Sequence, residues 1–137
     1  MTSRFSFKLA SRHIHAGGVI AYPTESVMGI GCDPLDEFAV RKILSLKQRS
    51  IDKGMILIAS SIQQLLPFIN INDQQYKKLN SITDKPTTWL VAKSTCAPYW
   101  ITGKHEKIAV RITQHPVAKQ LCELTGHAIV STSANMG

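Results

Sequence analysis

With 137 residues, 44% of them hydrophobic, the chain has room for one domain with a buried core and none for a second of similar size. No apolar run of about 18 residues occurs, and the opening Met1 to Phe5 lacks the charged, apolar and small-residue order of a secretory leader; both argue against membrane insertion or export and make the cytoplasm the expected compartment. The net charge of +7 and a pI near 9.5 attract polyanions, nucleotides and RNA alike, without choosing among them.

Phe5, Leu9, Ala10 and Ile14 recur at helical spacing and Gly17-Gly18 supplies a helix end, so the chain is predicted to open on a helix. Val19-Ile20-Ala21-Tyr22 reads as a buried strand stopped by Pro23, which leaves Thr24 to Asp33 at a strand's end. A second helix starts at Asp36, with Phe38, Ala39, Ile43, Leu44 and Leu46 as its apolar stripe and Asp36 or Asp33 as its cap. Met55 to Ala59 is the next strand, Ser60-Ser61 caps a helix through Leu65 and Leu66 that Pro67 interrupts, and Asp73 to Leu79 forms a short helix. Thr87 to Val91 and Ile108 to Ile112 read as strands joined by a loop containing Gly103. Pro116 opens a last helix with Val117, Leu121 and Leu124 as its stripe and Gly126 as its end, and Ala128 to Val130 is the final strand. Helices alternating with apolar strands predict an α/β fold, a mixed sheet covered by helices.

Three polar strings fall at strand or helix ends, where open α/β sheets place their ligands. Pro23-Thr24-Glu25-Ser26 follows a strand and precedes two close glycines, though an ordinary turn with a capping threonine reads the same way. Lys47-Gln48-Arg49 offers two cations that do not share a helix face but can converge on one phosphate chain at a fraying end; a solvated helix terminus reads the same way. Ser131-Thr132-Ser133-Ala134-Asn135 follows a strand with donors suited to an anion. Arg111, closing an apolar run, needs a carboxylate or phosphate partner, either a ligand's or a structural one. Neither a phosphate-binding glycine loop nor a G-x-G-x-x-G string is present. The cysteines Cys32, Cys96 and Cys122 lie far apart, which predicts three reduced thiols, and the alternate spacing of His13 and His15 gives no metal-ligand pair.

In order and spacing, the strings from Gly18 to Gly31, Lys47-Gln48-Arg49 to Gly54, Pro86 to Trp89, Ala109-Val110-Arg111, His115-Pro116 and Ser131 to Asn135 resemble the YrdC/TsaC family of threonylcarbamoyl-AMP synthases. The resemblance implies a twisted mixed β-sheet with a concave basic site, and a nucleotidyltransferase that makes L-threonylcarbamoyladenylate from L-threonine, bicarbonate and ATP. Pyrophosphate is the other product, and downstream transferase proteins pass the threonylcarbamoyl group to tRNA. It implies Mg2+ carried with ATP, no protein metal ligands and no covalent enzyme intermediate. By the same resemblance Thr24, Arg111 and Ser131 bind threonine, and Lys47, Arg49, Lys107, Ser133 and Asn135 bind ATP. Residues 1–137 are then one YrdC-like domain that ends before its relatives do, with Thr83-Asp84-Lys85 standing where the family has Trp-Pro-Gly. The alternative reading is a non-catalytic RNA-binding module in tRNA or rRNA maturation; direct RNA binding is compatible with either, and a membrane partner with neither.

Overall fold

In the computed structural model of the protein the described residues are 6–23, 28–81 and 87–133, with the backbone alone considered at Pro23, Lys53 and Ser133. Their elements are α1 (Phe7–His15), β1 (Ile20–Pro23), β2 (Met28–Cys32), α2 (Glu37–Lys47), β3 (Ile56–Ala59), α3 (Asp73–Leu79), β4 (Trp89–Ala92), α4 (Tyr99–Thr102), β5 (Lys107–Ile112), α5 (Pro116–Thr125) and β6 (Ile129–Ser133). The strands form one sheet in the order β1-β2-β6-β3-β5-β4. Only the β3–β5 pair is parallel; the other pairs are antiparallel, so the sheet is mixed as expected.

Two cores lie on the two faces of this sheet. On one face Leu57, Val110 and Val130 pack with Ala39, Val40, Ile43 and Leu44 of α2. On the other, Ile58, Ile129 and Tyr22 pack with Ala10 and Ile14 of α1 and Ala118, Leu121 and Cys122 of α5. Each fully buried leucine or isoleucine contributes roughly 1.5–3 kcal/mol, so these layers hold the fold together.

The helices bury somewhat different stripes from those expected. In α1 the inward positions are Ala10, Ser11 and Ile14, with Phe7 packed beside them, and Leu9 is exposed. In α2 they are Ala39, Val40, Ile43, Leu44 and Lys47, while Phe38 and Leu46 face outward, and Leu124 of α5 is exposed likewise. A stripe at i, i+3, i+4 and i+7 leaves no room for the neighbours at i+2, apolar or not. Asp36 caps α2 by accepting from the Ala39 amide at 3.1 Å, and Asn72 and Gln75 form a reciprocal capping box on α3. The helix expected after Ser60-Ser61 is instead two short 3-10 turns, Ile62–Gln64 and Leu66–Phe68. Pro67 lies in the first turn of the second, where it lacks no needed donor.

Three elements differ more. β2 falls within Thr24 to Asp33, because Gly29 and Gly31 weaken its strand pattern. A side chain at 31 would meet the Val130 carbonyl at 2.7 Å and the Tyr22 ring at 2.8 Å, so the glycine is what leaves room for the Tyr22 ring beside β2. α4 falls within the Gly103 loop. β6 runs on to Ser133, so Ser131 and Thr132 belong to a strand rather than to the turn after it.

Burial pushes the Cys32 and Cys122 thiols up to about 12, with Asp33 and Asp36 adding to the effect at Cys32 and Glu123 at Cys122. The folded values are raised, so this contribution to stability is complete at neutral pH and is lost as pH rises from the unfolded thiol's ~8.5 through the folded value. Cys96 is exposed. A disulfide-exchange reagent at about pH 8 is therefore expected to titrate Cys96 alone in the native chain, and all three thiols after unfolding; early reaction of Cys32 or Cys122 would contradict the packing. Gly31→Val is expected to lower stability by about 1–3 kcal/mol in chemical denaturation, because backbone and a buried ring must both move.

Candidate active site

Registered neighbours in a sheet point to the same side, and so do alternate residues of one strand. The pairing therefore lays Ser131, Ile56, Ala109 and Leu90 in one row across β6, β3, β5 and β4. Ile129, Ile58 and Arg111 make the adjacent row on the same face. α1 and α5 cover Ile58 and Ile129, and the Ser131 row is left open beside them. There a cavity of about 680 Å³ has Met55, Ile56, Leu90, Ile108 and Ala109 as apolar lining, α4 residues Ile101 and Thr102 as a wall, and Arg49, His105, Glu106, Lys107, Ser131 and Thr132 as polar groups. A smaller cavity of about 210 Å³ lies at the opposite strand ends, with Ser60, Ser81, Gln114 and Lys119 around Trp89.

Lys47 and Arg49 part company at the end of α2. Gln48 adopts a left-handed conformation with φ 52° and ψ 42°, and the Arg49 amide turns back to the Leu44 carbonyl at 2.9 Å. The helix thus ends in a tight cap. Lys47 stays on the inward stripe, 3% exposed, and does not line the cavity. Arg49 emerges on the cavity side, where its Nε and Nη2 donate to the Gly54 carbonyl at 3.3 and 3.2 Å.

The loop that carries Gly54 is clasped by α4. The Met55 amide donates to the Ile101 carbonyl at 2.8 Å, and the Tyr99 hydroxyl donates to Asp52 Oδ1 at 2.7 Å, which raises the Tyr99 phenol. Gly103, at φ 62°, sits directly against the backbone carbonyls of Ile51 and Asp52, where a side chain has no space. This clasp sets the position of the Arg49 anchor.

Of the residues singled out in the sequence, Arg49, Lys107 and Ser131 are brought together around the cavity. Arg111 lies one row away, its Nε and Nη2 donating to Thr88 Oγ1 at 3.1 and 2.8 Å. Thr24 and Asn135 lie outside the described residues, as does Thr83-Asp84-Lys85; Ser133 pairs with Gly29 in the sheet, and its side chain is likewise outside them. The apolar lining from Met55, Leu90 and Ile101, and the polar groups of His105 and Glu106, were not singled out. The one available signal was Leu90, an apolar residue alternating outward on a strand and 67% exposed.

Residues 12–137 match the family described as Sua5_yciO_yrdC, Telomere recombination. The chain belongs to this family. It is 51% identical to the threonylcarbamoyl-AMP synthase of Haemophilus influenzae (strain PittEE) over 121 residues, which make up 86% of this chain and 66% of that relative. It is 46% identical along its whole length to the threonylcarbamoyl-AMP synthase of Pseudomonas putida (strain GB-1), covering 74% of it. The structure of P. abyssi Sua5 complexed with L-threonine superimposes with a TM-score of 0.86 at 34% identity, over 95% of this chain and 38% of that one. This Sua5/YciO/YrdC chain thus spans about two thirds of the H. influenzae relative and under two fifths of P. abyssi Sua5.

Gly103→Ala is expected to loosen the clasp selectively. Hydrogen exchange should speed up at the Met55 amide and leave the β6 amides protected; uniform loss of protection across the sheet would show that Gly103 supports the whole fold and not this loop.

Proposed function

We propose that this chain is the synthase domain that forms L-threonylcarbamoyladenylate from L-threonine, bicarbonate and ATP, with release of pyrophosphate, for the modification of tRNA by downstream transferase proteins. The observation that carries the reading is the gathering of Arg49, Lys107 and Ser131 around one largely apolar cavity, with Arg111 on the next row, in a chain so similar to threonylcarbamoyl-AMP synthases. The complex of P. abyssi Sua5 with L-threonine supports an amino acid as one occupant.

In this reading Arg111 takes the threonine carboxylate in a two-pronged pair and Thr24 contacts the same substrate. The threonine amine captures bicarbonate as a carbamate beside Ser131, with loss of water. A carbamate oxygen then attacks the α-phosphorus in line, the bond to the bridging oxygen breaks, and pyrophosphate leaves with the electron pair. Arg49 and Lys107 neutralise the phosphates, and Ser133 and Asn135 lie on the nucleotide side. Lys47, buried at the end of α2 and not among the residues lining the cavity, keeps its proposed place beside the ATP phosphates with these two cations. The protein's work is positioning and electrostatic stabilisation within an apolar cavity, where charge interactions are stronger than in water.

Glu106 is the cavity's one carboxylate among the described residues, and no group of three or more His, Cys, Asp or Glu among them is placed to hold a metal ion. A divalent cation such as Mg2+ enters with the ATP phosphates as part of the substrate, a role that asks for at most one or two carboxylates of the protein. No helix of the described residues is long and apolar enough to cross a membrane.

Pyrophosphate release from ATP is expected to require threonine and bicarbonate together. Arg111→Ala should reduce it by about 10²–10³-fold, on the scale of losing one charge-stabilising contact. A folded chain that releases no pyrophosphate with all three substrates present, but binds RNA in a salt-sensitive way, would replace this reading with the RNA-binding one.

A further inference from the structure

Arg111 is oriented by a neighbour with no part in the chemistry above. β4 and β5 pair Trp89 with Val110 and Leu90 with Ala109, and one further step of this register sets Thr88 opposite Arg111. There the Thr88 hydroxyl oxygen accepts from both Nε, at 3.1 Å, and Nη2, at 2.8 Å. A hydroxyl carries two acceptor lone pairs, so a single oxygen can receive both donors. Together they occupy one edge of the planar guanidinium and fix its plane. An arginine side chain otherwise carries rotamer entropy that a ligand's binding must overcome.

We infer that Thr88 is a positioning residue for the amino-acid carboxylate: by holding the Nε–Nη2 edge of Arg111, it sets the direction in which the guanidinium fork meets that carboxylate. The inference rests on the synthase reading, in which Arg111 takes the threonine carboxylate. Thr88 itself touches no reacting atom. It is exposed and precedes an edge strand, so the core does not need its hydroxyl, and a valine there keeps the β-branched shape while removing the acceptor.

The test measures L-threonine and ATP binding by calorimetry for the chain as it stands and for Thr88→Val and Thr88→Ser, alongside thermal unfolding and the Arg111 Nε–H signal in NMR spectra. Expected for Thr88→Val is a rise in the threonine Kd on the order of ten-fold, the scale for losing hydrogen bonds to a charged group. ATP affinity and melting temperature should stay unchanged, and the Arg111 Nε–H signal should shift and exchange faster. Thr88→Ser should restore threonine affinity. Unchanged threonine binding in Thr88→Val, or no rescue by serine, overturns the positioning role and leaves the synthase reading standing. Equal losses of threonine and ATP affinity, or a lowered melting temperature, assign Thr88 to the fold instead. Absence of threonine binding by the unaltered chain overturns both readings.

Discussion

Insertion of β6 between β2 and β3 is the constraint from which the rest of the structure follows. The β1–β2 hairpin comes from the start of the chain and the β3–β5–β4 unit from its middle, and β6, from near its end, is the strand hydrogen-bonded to both. Closing so long a loop costs only about 0.6 kcal/mol more than a loop of half the length, because the entropy grows logarithmically. Backbone pairing on both edges and burial on both faces offset that cost. Close approach of the strands carries a steric condition, which Gly31 meets by leaving Tyr22 the space above β2.

The site inherits its layout from that sheet. β6 ends where β3 and β5 begin, so the hydroxyl of Ser131 and the cation of Lys107 come to the same cavity although they lie far apart in the chain. Arg49 is added by a separate device, the left-handed cap at Gln48 and the clasp between its loop and α4. Positive groups are thereby set at the edge of an apolar lining, held by backbone carbonyls and strand register before any ligand arrives. Fixed charge of this kind costs little reorganisation when an anion binds.

Arg111 and Thr88 show the same economy on a smaller scale. Their meeting is a consequence of antiparallel register, which brings an edge-strand hydroxyl opposite an arginine on the neighbouring strand. A one-residue slip of β4 would turn Thr88 to the other face and leave that edge of the guanidinium without its acceptor.

The sequence by itself determined the alternation of helices and apolar strands, the start of α5 at Pro116 and its end at Gly126, the family resemblance, and the residue strings from which the site is drawn, because these depend on local spacing and residue chemistry. It was less informative where a glycine was needed for close packing: β2 was hidden by the glycines of its strand, one of which makes room for Tyr22, and α4, four residues long, is too short to show a helical period. The outward turn of Phe38 and Leu46 was likewise hidden, since hydrophobicity marks a residue as apolar without saying which way the helix faces. Tertiary structure alone decided that Lys47 is buried and Arg49 lines the cavity, that Ser131 belongs to a strand, and that Thr88 meets Arg111. Those outcomes depend on one left-handed residue and on strand register, and both are set by packing between distant parts of the chain, which no local pattern records.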